Sequence, residues 1–287
     1  MARASPGVYP AGPVSLATMP MPDAPPDESR VFAALLRHWR TRRGLSQLDL
    51  ALHADVSARH VSYLETRRSR PSRDMVLRLA AALDVPLRDQ NVMLREAGFA
   101  PAFAEPGLDA LAPAVDYALT RLLAHHEPYP MLVLDRAYDV LRANRAAAAL
   151  AALAVGAVPP RWNAVLALFA AGGVRRHLDN WEPVARQAVA RLHRESLSAP
   201  QDARLRDLLD LVLELPDVPP DWRRPDFDAG SEGALTLAFR LGEQRATFTT
   251  TLMSFHAPQN VTLDELQIEC YLPADDATEA FCRRALA

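Results

Sequence analysis

The stretch Gln47-Leu48-Asp49-Leu50-Ala51-Leu52-His53-Ala54-Asp55-Val56-Ser57-Ala58-Arg59-His60-Val61-Ser62-Tyr63-Leu64-Glu65-Thr66-Arg67 decides the N-terminal fold. It reads as two short helices meeting at a sharp turn. Ser46 precedes the first helix and Ser57 precedes the second, each with an oxygen that can cap free backbone amides. Close approach of the two helices needs a small residue, and Ala51 supplies it. Leu50, Val56, Val61 and Leu64 are then expected to share one core. Val61 and Leu64 are three apart, so they face inward together. Asp55 occupies the turn, where a short polar side chain tolerates left-handed backbone better than most residues do.

Working outward, Val31, Leu35, Leu36 and Trp39 recur at helical spacing, and Gly44 ends that helix. Ser72 caps a fourth helix carrying Met75, Leu79, Ala82 and Leu83 on one face. Pro86 opens a fifth, which stops at Gly98. Residues 29–100 are therefore expected to be a compact all-α five-helix helix-turn-helix domain. Residues 1–28 carry seven prolines and little periodicity, and are expected to be a disordered tail. Pro101, Pro106 and Pro113 mark a linker over 101–112.

Charge divides the chain in the same place. Residues 30–96 hold 13 Arg against 7 acidic residues, whereas residues 101–287 hold 18 Arg against 25. A cationic segment joined to an anionic one is the footprint of a phosphate-binding module attached to something else. Every basic side chain is Arg and none is Lys. With the Ala and Pro richness, that usage points to a GC-rich bacterial genome more than to bidentate recognition. Cys270 and Cys282 have no metal-ligand spacing. No apolar run reaches the ~18 residues of a membrane span, and the N-terminus lacks a signal-peptide core. A soluble, cytoplasmic protein is expected.

The outward face of the third helix carries Arg59, Ser62 and Tyr63 at positions i, i+3 and i+4. It is polar and suits the major groove of double-stranded DNA. Arg59 can donate two hydrogen bonds to a guanine edge. Ser57 offers a hydroxyl and an amide to a phosphate. Gln47 is expected to touch phosphate or support Arg59. Tyr63 and His60 serve as phosphate or packing residues, and Arg67, Arg68, Arg70 and Arg73 form a phosphate clamp.

Residues 113–287 read as α+β. Leu111–His125 is expected to be a helix. Met131–Leu134 and Tyr138–Leu141 read as a hairpin around Asp135-Arg136. Residues 144–155 and 162–215 are mostly helical, with breaks at Pro159-Pro160, Gly172-Gly173 and Pro200. Leu235–Leu241, Thr247–Phe255 and Glu265–Leu272 alternate like strands, and a helix from Asp275 closes the chain. His125-His126-Glu127 is a helix end with no further ligand at fixed spacing, so no metal site is expected. Ser254 lacks a nucleophile-elbow context and no glycine-rich phosphate loop follows a strand. No catalytic residues and no cofactor are expected.

The segment Gln47, Ala51, Ser57, Val61, Glu65 resembles the XRE-type, phage-repressor-like regulators, departing at Asp55 and Arg67, where that family commonly has Gly. Leu64–Leu79, Asp84–Asn91 and Ala97–Pro101 go further and resemble the MmyB-like subgroup. So do Pro130–Asn144, Asn180-Trp181-Glu182, Phe255–Gln259 and Val261–Leu266. The resemblance implies a PAS-like C-terminal domain that binds long-chain acyl or similar apolar molecules, such as a fatty acid, and a homodimer. Leu132, Leu134, Leu141, Trp162, Leu166, Phe169, Phe248, Leu252 and Phe255 are candidates to line such a cavity. Asn144, Arg175, Arg176, Arg186 and His256 are candidate polar anchors. The competing expectation is a DNA-binding regulator whose C-terminal domain serves only dimerisation or protein interaction.

Overall fold

The computed structural model describes residues 28–156, 161–199, 202–226, 236–256, 258 and 260–286. The tail over 1–27 lies outside the described residues, as do Leu235 of the expected third strand and Ala257 and Gln259 of the quoted motif.

The N-terminal unit is five helices: α1 (Glu28–Arg42), α2 (Gln47–His53), α3 (Ala58–Glu65), α4 (Arg73–Ala82) and α5 (Leu87–Glu96). Ser46, Ser57 and Ser72 accept from the amides of Asp49, His60 and Met75, so three helices begin on the expected caps. Leu50, Ala51, Val61 and Leu64 are buried in one core with Phe32, Leu36 and Trp39 of α1, while Val56 packs at its edge.

All five helices end the same way. A residue at positive φ follows each: Gly44, Asp55, Arg67, Asp84 and Gly98. The next amide then bonds back to a carbonyl five residues earlier, as in Leu45 to Arg40, Val56 to Ala51 and Arg68 to Tyr63. This is the Schellman arrangement, which satisfies carbonyls that a helix end leaves without partners. Only two of the five positions are glycine. Asp55, at φ 51°, makes the turn between α2 and α3.

The C-terminal unit is built on a five-stranded antiparallel sheet, ordered β2-β1-β5-β4-β3. Its strands are β1 (Met131–Leu134), β2 (Val140–Ala143), β3 (Thr236–Leu241), β4 (Gln244–Met253) and β5 (Gln267–Pro273). Helix α6 (Pro113–His125) covers one face, against Met131, Val133, Ile268 and Cys270. Helices α7 (Arg145–Val155), α8 (Ala164–Phe169), α9 (Trp181–Ser198) and α10 (Ala203–Leu213) lie over the other. The PAS-like α+β architecture is thus present. Strand alternation explains the division, since successive side chains point to opposite faces.

Three expected boundaries move. The second strand starts at Val140, not Tyr138. Asp135 Oδ1 accepts from the amides of Ala137 and Asp139, and this Asx-type turn holds Tyr138 at φ 65°. The fourth strand runs from Gln244 to Met253 instead of 247–255. The fifth starts at Gln267, because Val261–Glu265 forms a short helix, α11, capped by Asn260. A last helix, α12 (Asp276–Phe281), begins at its Asp275 cap.

Replacing Asp55 by valine puts a β-branched side chain where left-handed backbone costs about 1–2 kcal/mol. Asp55→Val is expected to lower stability by about that amount in urea unfolding, while Asp55→Gly keeps or raises it.

Candidate functional site

Two candidate sites lie on the two units, and a seam joins the units. At the first, α3 presents an exposed cationic surface. Arg59 Nε donates to Tyr63 Oη at 2.8 Å. The guanidinium of Arg59 lies 5.2 Å from the Tyr63 ring centroid and that of Arg68 lies 5.8 Å away. Tyr63 therefore splays two arginines across the helix face. Ser62 is half-buried beside them, and Arg67, Arg68, Arg70 and Arg73 continue the surface through the loop into α4. No carboxylate pairs with Arg59, Arg68, Arg70 or Arg73 among the described residues. Unneutralised guanidinium groups of this kind suit a phosphate backbone.

Gln47 does not belong to this surface. Its Nε2 donates to Glu65 Oε2 at 2.8 Å. Arg40 reaches the same carboxylate through Nε at 2.6 Å and Nη2 at 3.0 Å, and also donates to Leu45 O. The Glu65 side chain is fully enclosed. Burial alone raises its pKa, but the hydrogen bonds from Arg40 and Gln47 and the nearby Arg37 outweigh it and hold the carboxyl below its ordinary value. The group locks α1, α2 and α3 together from beneath the reading face. The Gln-to-Glu spacing is visible in sequence, but Arg40 lies on another helix and gave no local signal.

The second site is a cavity of about 270 Å³ between the sheet and α7–α9. Leu132 and Trp162 line it, together with Leu168 and Ala188. Leu134, Leu166 and Phe169 belong to the core that backs it. Phe248 is buried in the adjoining core, edge-on to Phe239 and Tyr271. Leu141 and Leu252 are exposed, and Leu252 borders the cleft between the two units instead. Phe255 packs on the opposite sheet face, and His256 is exposed.

None of the expected polar anchors borders the cavity. Asn144 caps α7 by accepting from Ala147 N, accepts also from Met131 N, and donates to Tyr129 O at 2.7 Å. Arg175 stacks over Trp181 at 3.8 Å and pairs with Asp217. Arg176 donates to Ala154 O, and Arg186 pairs with Asp226. The polar groups that do border it are Tyr138, Gln187, Arg191, Arg194, Glu269 and Tyr271. Sequence carried a signal for two of them: Glu269 falls in register with Tyr271 on the inward face of β5, and Arg191 falls three residues after Ala188 on the apolar stripe of α9.

The seam is electrostatic. Arg88 of α5 grips Glu265 of α11 with Nε at 2.6 Å and Nη2 at 2.9 Å, and its Nη1 reaches Glu105. Asp264 accepts from Leu87 N. Arg42 of α1 donates to Leu197 O and Ser198 Oγ at the end of α9. The connecting segment is stitched to both sides. Asn91 bonds the backbone of Ala102 and Phe103, while Ala104 O and Pro106 O accept from Val261 and Thr262.

A helix-turn-helix unit with a bare cationic reading face, joined to an α+β unit with a mostly apolar cavity, defines a DNA-binding transcription regulator with a ligand-binding domain. Residues 115–285 match the MmyB-like transcription regulator ligand binding domain, and residues 31–91 match a helix-turn-helix domain. The first match spans more than half of the chain, so the protein belongs to the MmyB-like transcription regulators. No curated protein matches it. It is a regulator and not an enzyme. Among the described residues no helix is long and apolar enough to cross a membrane.

Asp89, at the seam, gives a pH test. It is buried and its Oδ2 has no partner among the described residues. Burial raises its carboxyl to about 6; Arg136 and Arg88 oppose this, while Glu265 and Asp202 add to it. The folded state thus holds the proton more tightly than the unfolded chain, whose Asp titrates near 3.9. The resulting stability is present below about pH 4 and is lost as pH rises through about 6. Asp89→Asn is expected to raise the melting temperature at about pH 7.5 more than at about pH 4.5, flattening the profile between them.

Proposed function

We propose that the protein is a cytoplasmic one-component switch: a homodimer whose two α3 helices read DNA half-sites and whose cavity senses an apolar, fatty-acid-like small molecule. The observation that carries this reading is the apolar cavity, because one helix connects it to the DNA-binding unit. Helix α9 contributes Ala188 and Arg191 to the cavity wall, and its last turn holds Arg42 of α1. A ligand that shifts α9 changes how the DNA-binding units are held. The effect requires different ligand affinity for the DNA-competent and incompetent states.

One eight-residue recognition helix contacts only a few base pairs. Two copies placed on half-sites about 34–36 Å apart supply the missing specificity. In this reading Arg59 contacts base edges, with Ser62 and Tyr63 beside it. Ser57, Arg67, Arg68 and Arg70 hold phosphates.

The DNA contacts separate by sequence dependence. Arg59→Ala is expected to cost on the order of 1–3 kcal/mol on the preferred site and to relax preference there. Arg68→Ala is expected to weaken all sequences alike and to reduce the salt slope by about one. Equal weakening of specific and random DNA by Arg59→Ala reassigns that residue to phosphate. For the cavity, native mass spectrometry of the purified dimer is expected to show a bound small molecule that Trp162→Ala removes. A dimer with no ligand and no thermal shift from acyl compounds supports a C-terminal unit that serves only dimerisation or protein interaction.

A further inference from the structure

The seam between the units holds a cleft of about 650 Å³, inside the usual ~300–1,000 Å³ of small-molecule pockets, which form preferentially at such domain junctions. Arg43 and Leu87 wall it from the helix-turn-helix unit. Arg136, Glu195, Asp264 and Gln267 wall it from the sheet unit. It is separate from the apolar cavity: among the described residues no side chain lines both.

The wall of this cleft has an excess of acid. Among the described residues it carries four carboxylates, Asp84, Glu195, Asp264 and Glu265, against two guanidinium groups, Arg43 and Arg136. Both cations already have partners. Arg43 donates to Leu83 O at 2.7 Å and to Asp84. Arg136 lies 3.5 Å from Asp202 and 3.5 Å from Glu265. What the wall still offers is acceptors. Asp264 takes one bond, at Oδ2 from Leu87 N. Gln267 Oε1 is buried with no hydrogen-bond partner among the described residues. Asp89, buried within the charge field of Arg136 and Glu265, repeats the pattern, since its Oδ2 also has no partner among them. Burial raises the carboxyls of both Asp89 and Asp264, so their negative charge is under-compensated.

We propose that the cleft is a second effector site, distinct from the apolar cavity, for a small organic cation: a guanidinium or primary ammonium group on a short apolar chain. Such a group has only N–H donors, and the wall presents acceptors for them in Asp264 and Gln267. Bonds from a cation to a carboxylate are the strong kind. An anion fits poorly, because the guanidinium groups it would need are engaged. Among the described residues no cluster of His, Cys, Asp and Glu could hold a metal ion, which favours an organic cation with directional donors over a bare ion. Leu252 and Leu266 supply apolar wall for the chain. An occupant touches both units, so its binding favours the arrangement in which they are docked.

The test compares butylguanidinium with butylurea, which share a shape and differ in charge. Each is titrated into the full-length protein by calorimetry in about 0.15 M salt, which screens exposed carboxylates. Butylguanidinium is expected to bind about tenfold or more tighter than butylurea. Asp264→Asn keeps an oxygen for Leu87 N and removes the charge, and is expected to cut that advantage to about threefold or less. Gln267→Leu is expected to weaken butylguanidinium by about threefold or more. Trp162→Ala, which alters the apolar cavity, is expected to leave the advantage intact. Equal binding of the two compounds to the wild-type protein, or binding of neither, overturns the cation site. An undiminished advantage in a folded Asp264→Asn protein overturns it too. Loss of the advantage in a folded Trp162→Ala protein moves the cation to the apolar cavity and also overturns the cleft. The wild-type comparison decides the matter even where a variant does not fold.

Discussion

The grip of Arg88 on Glu265 is the interaction on which the rest depends. It takes both oxygens of one carboxylate and adds Glu105 from the connecting segment. It acts together with the bonds from Leu87 to Asp264 and from Arg42 to Leu197 and Ser198, so the helix-turn-helix unit and the sheet unit are joined at several points. With it, α5 is fixed to α11, and α11 leads directly into β5, the central strand that carries Glu269 and Tyr271. An isolated surface ion pair contributes little. This one is different because Glu265 is largely enclosed, Arg136 also approaches it, and its neighbours Val261, Thr262 and Asp264 bond to Ala104 O, Pro106 O and Leu87 N. The seam is a network, and networks hold orientation better than single pairs.

The same seam carries a destabilising element. Asp89 is buried one residue from Arg88 with an oxygen left without a partner among the described residues, while Asp264 is also raised by burial. An interface optimised for rigidity would not enclose so many acids near one another. Both carboxyls, Asp89 and Asp264, therefore hold their protons more tightly in the folded state than in the unfolded chain.

Legibility in the sequence followed the range of the interactions involved. Caps at Ser46, Ser57 and Ser72 act within three residues, so they were readable. Asp55 was readable as a left-handed turn for the same reason. The sheet and its α+β class followed from alternation in β3, β4 and β5. What was hidden depended on contacts distant in the chain. Gln47 looked like a phosphate contact because its partner's partner, Arg40, lies on a different helix. The strand is expected from Glu265, but Val261–Glu265 is a helix of five residues, too few to show helical periodicity in the sequence. The expected polar anchors are Asn144, which caps a helix, His256, which is exposed, and the three arginines Arg175, Arg176 and Arg186. Each of these arginines has a nearby carboxylate or carbonyl that satisfies it.

Arg191 reverses that lesson. A cation on the apolar stripe of a long helix breaks the amphipathic pattern, as an acid at an inward strand position does at Glu269. Each breach has an innocent explanation when taken alone, because arginine stems lie readily along apolar surfaces with the charged head in water. In the fold, Arg191 Nε is buried without a hydrogen-bond partner among the described residues, and the side chain borders the cavity. Two breaches of pattern, on α9 and on β5, border the same cavity. Burial opposes the charge on Arg191, but Tyr138, Glu269 and Glu195 outweigh it, so the two breaches answer each other across the cavity wall.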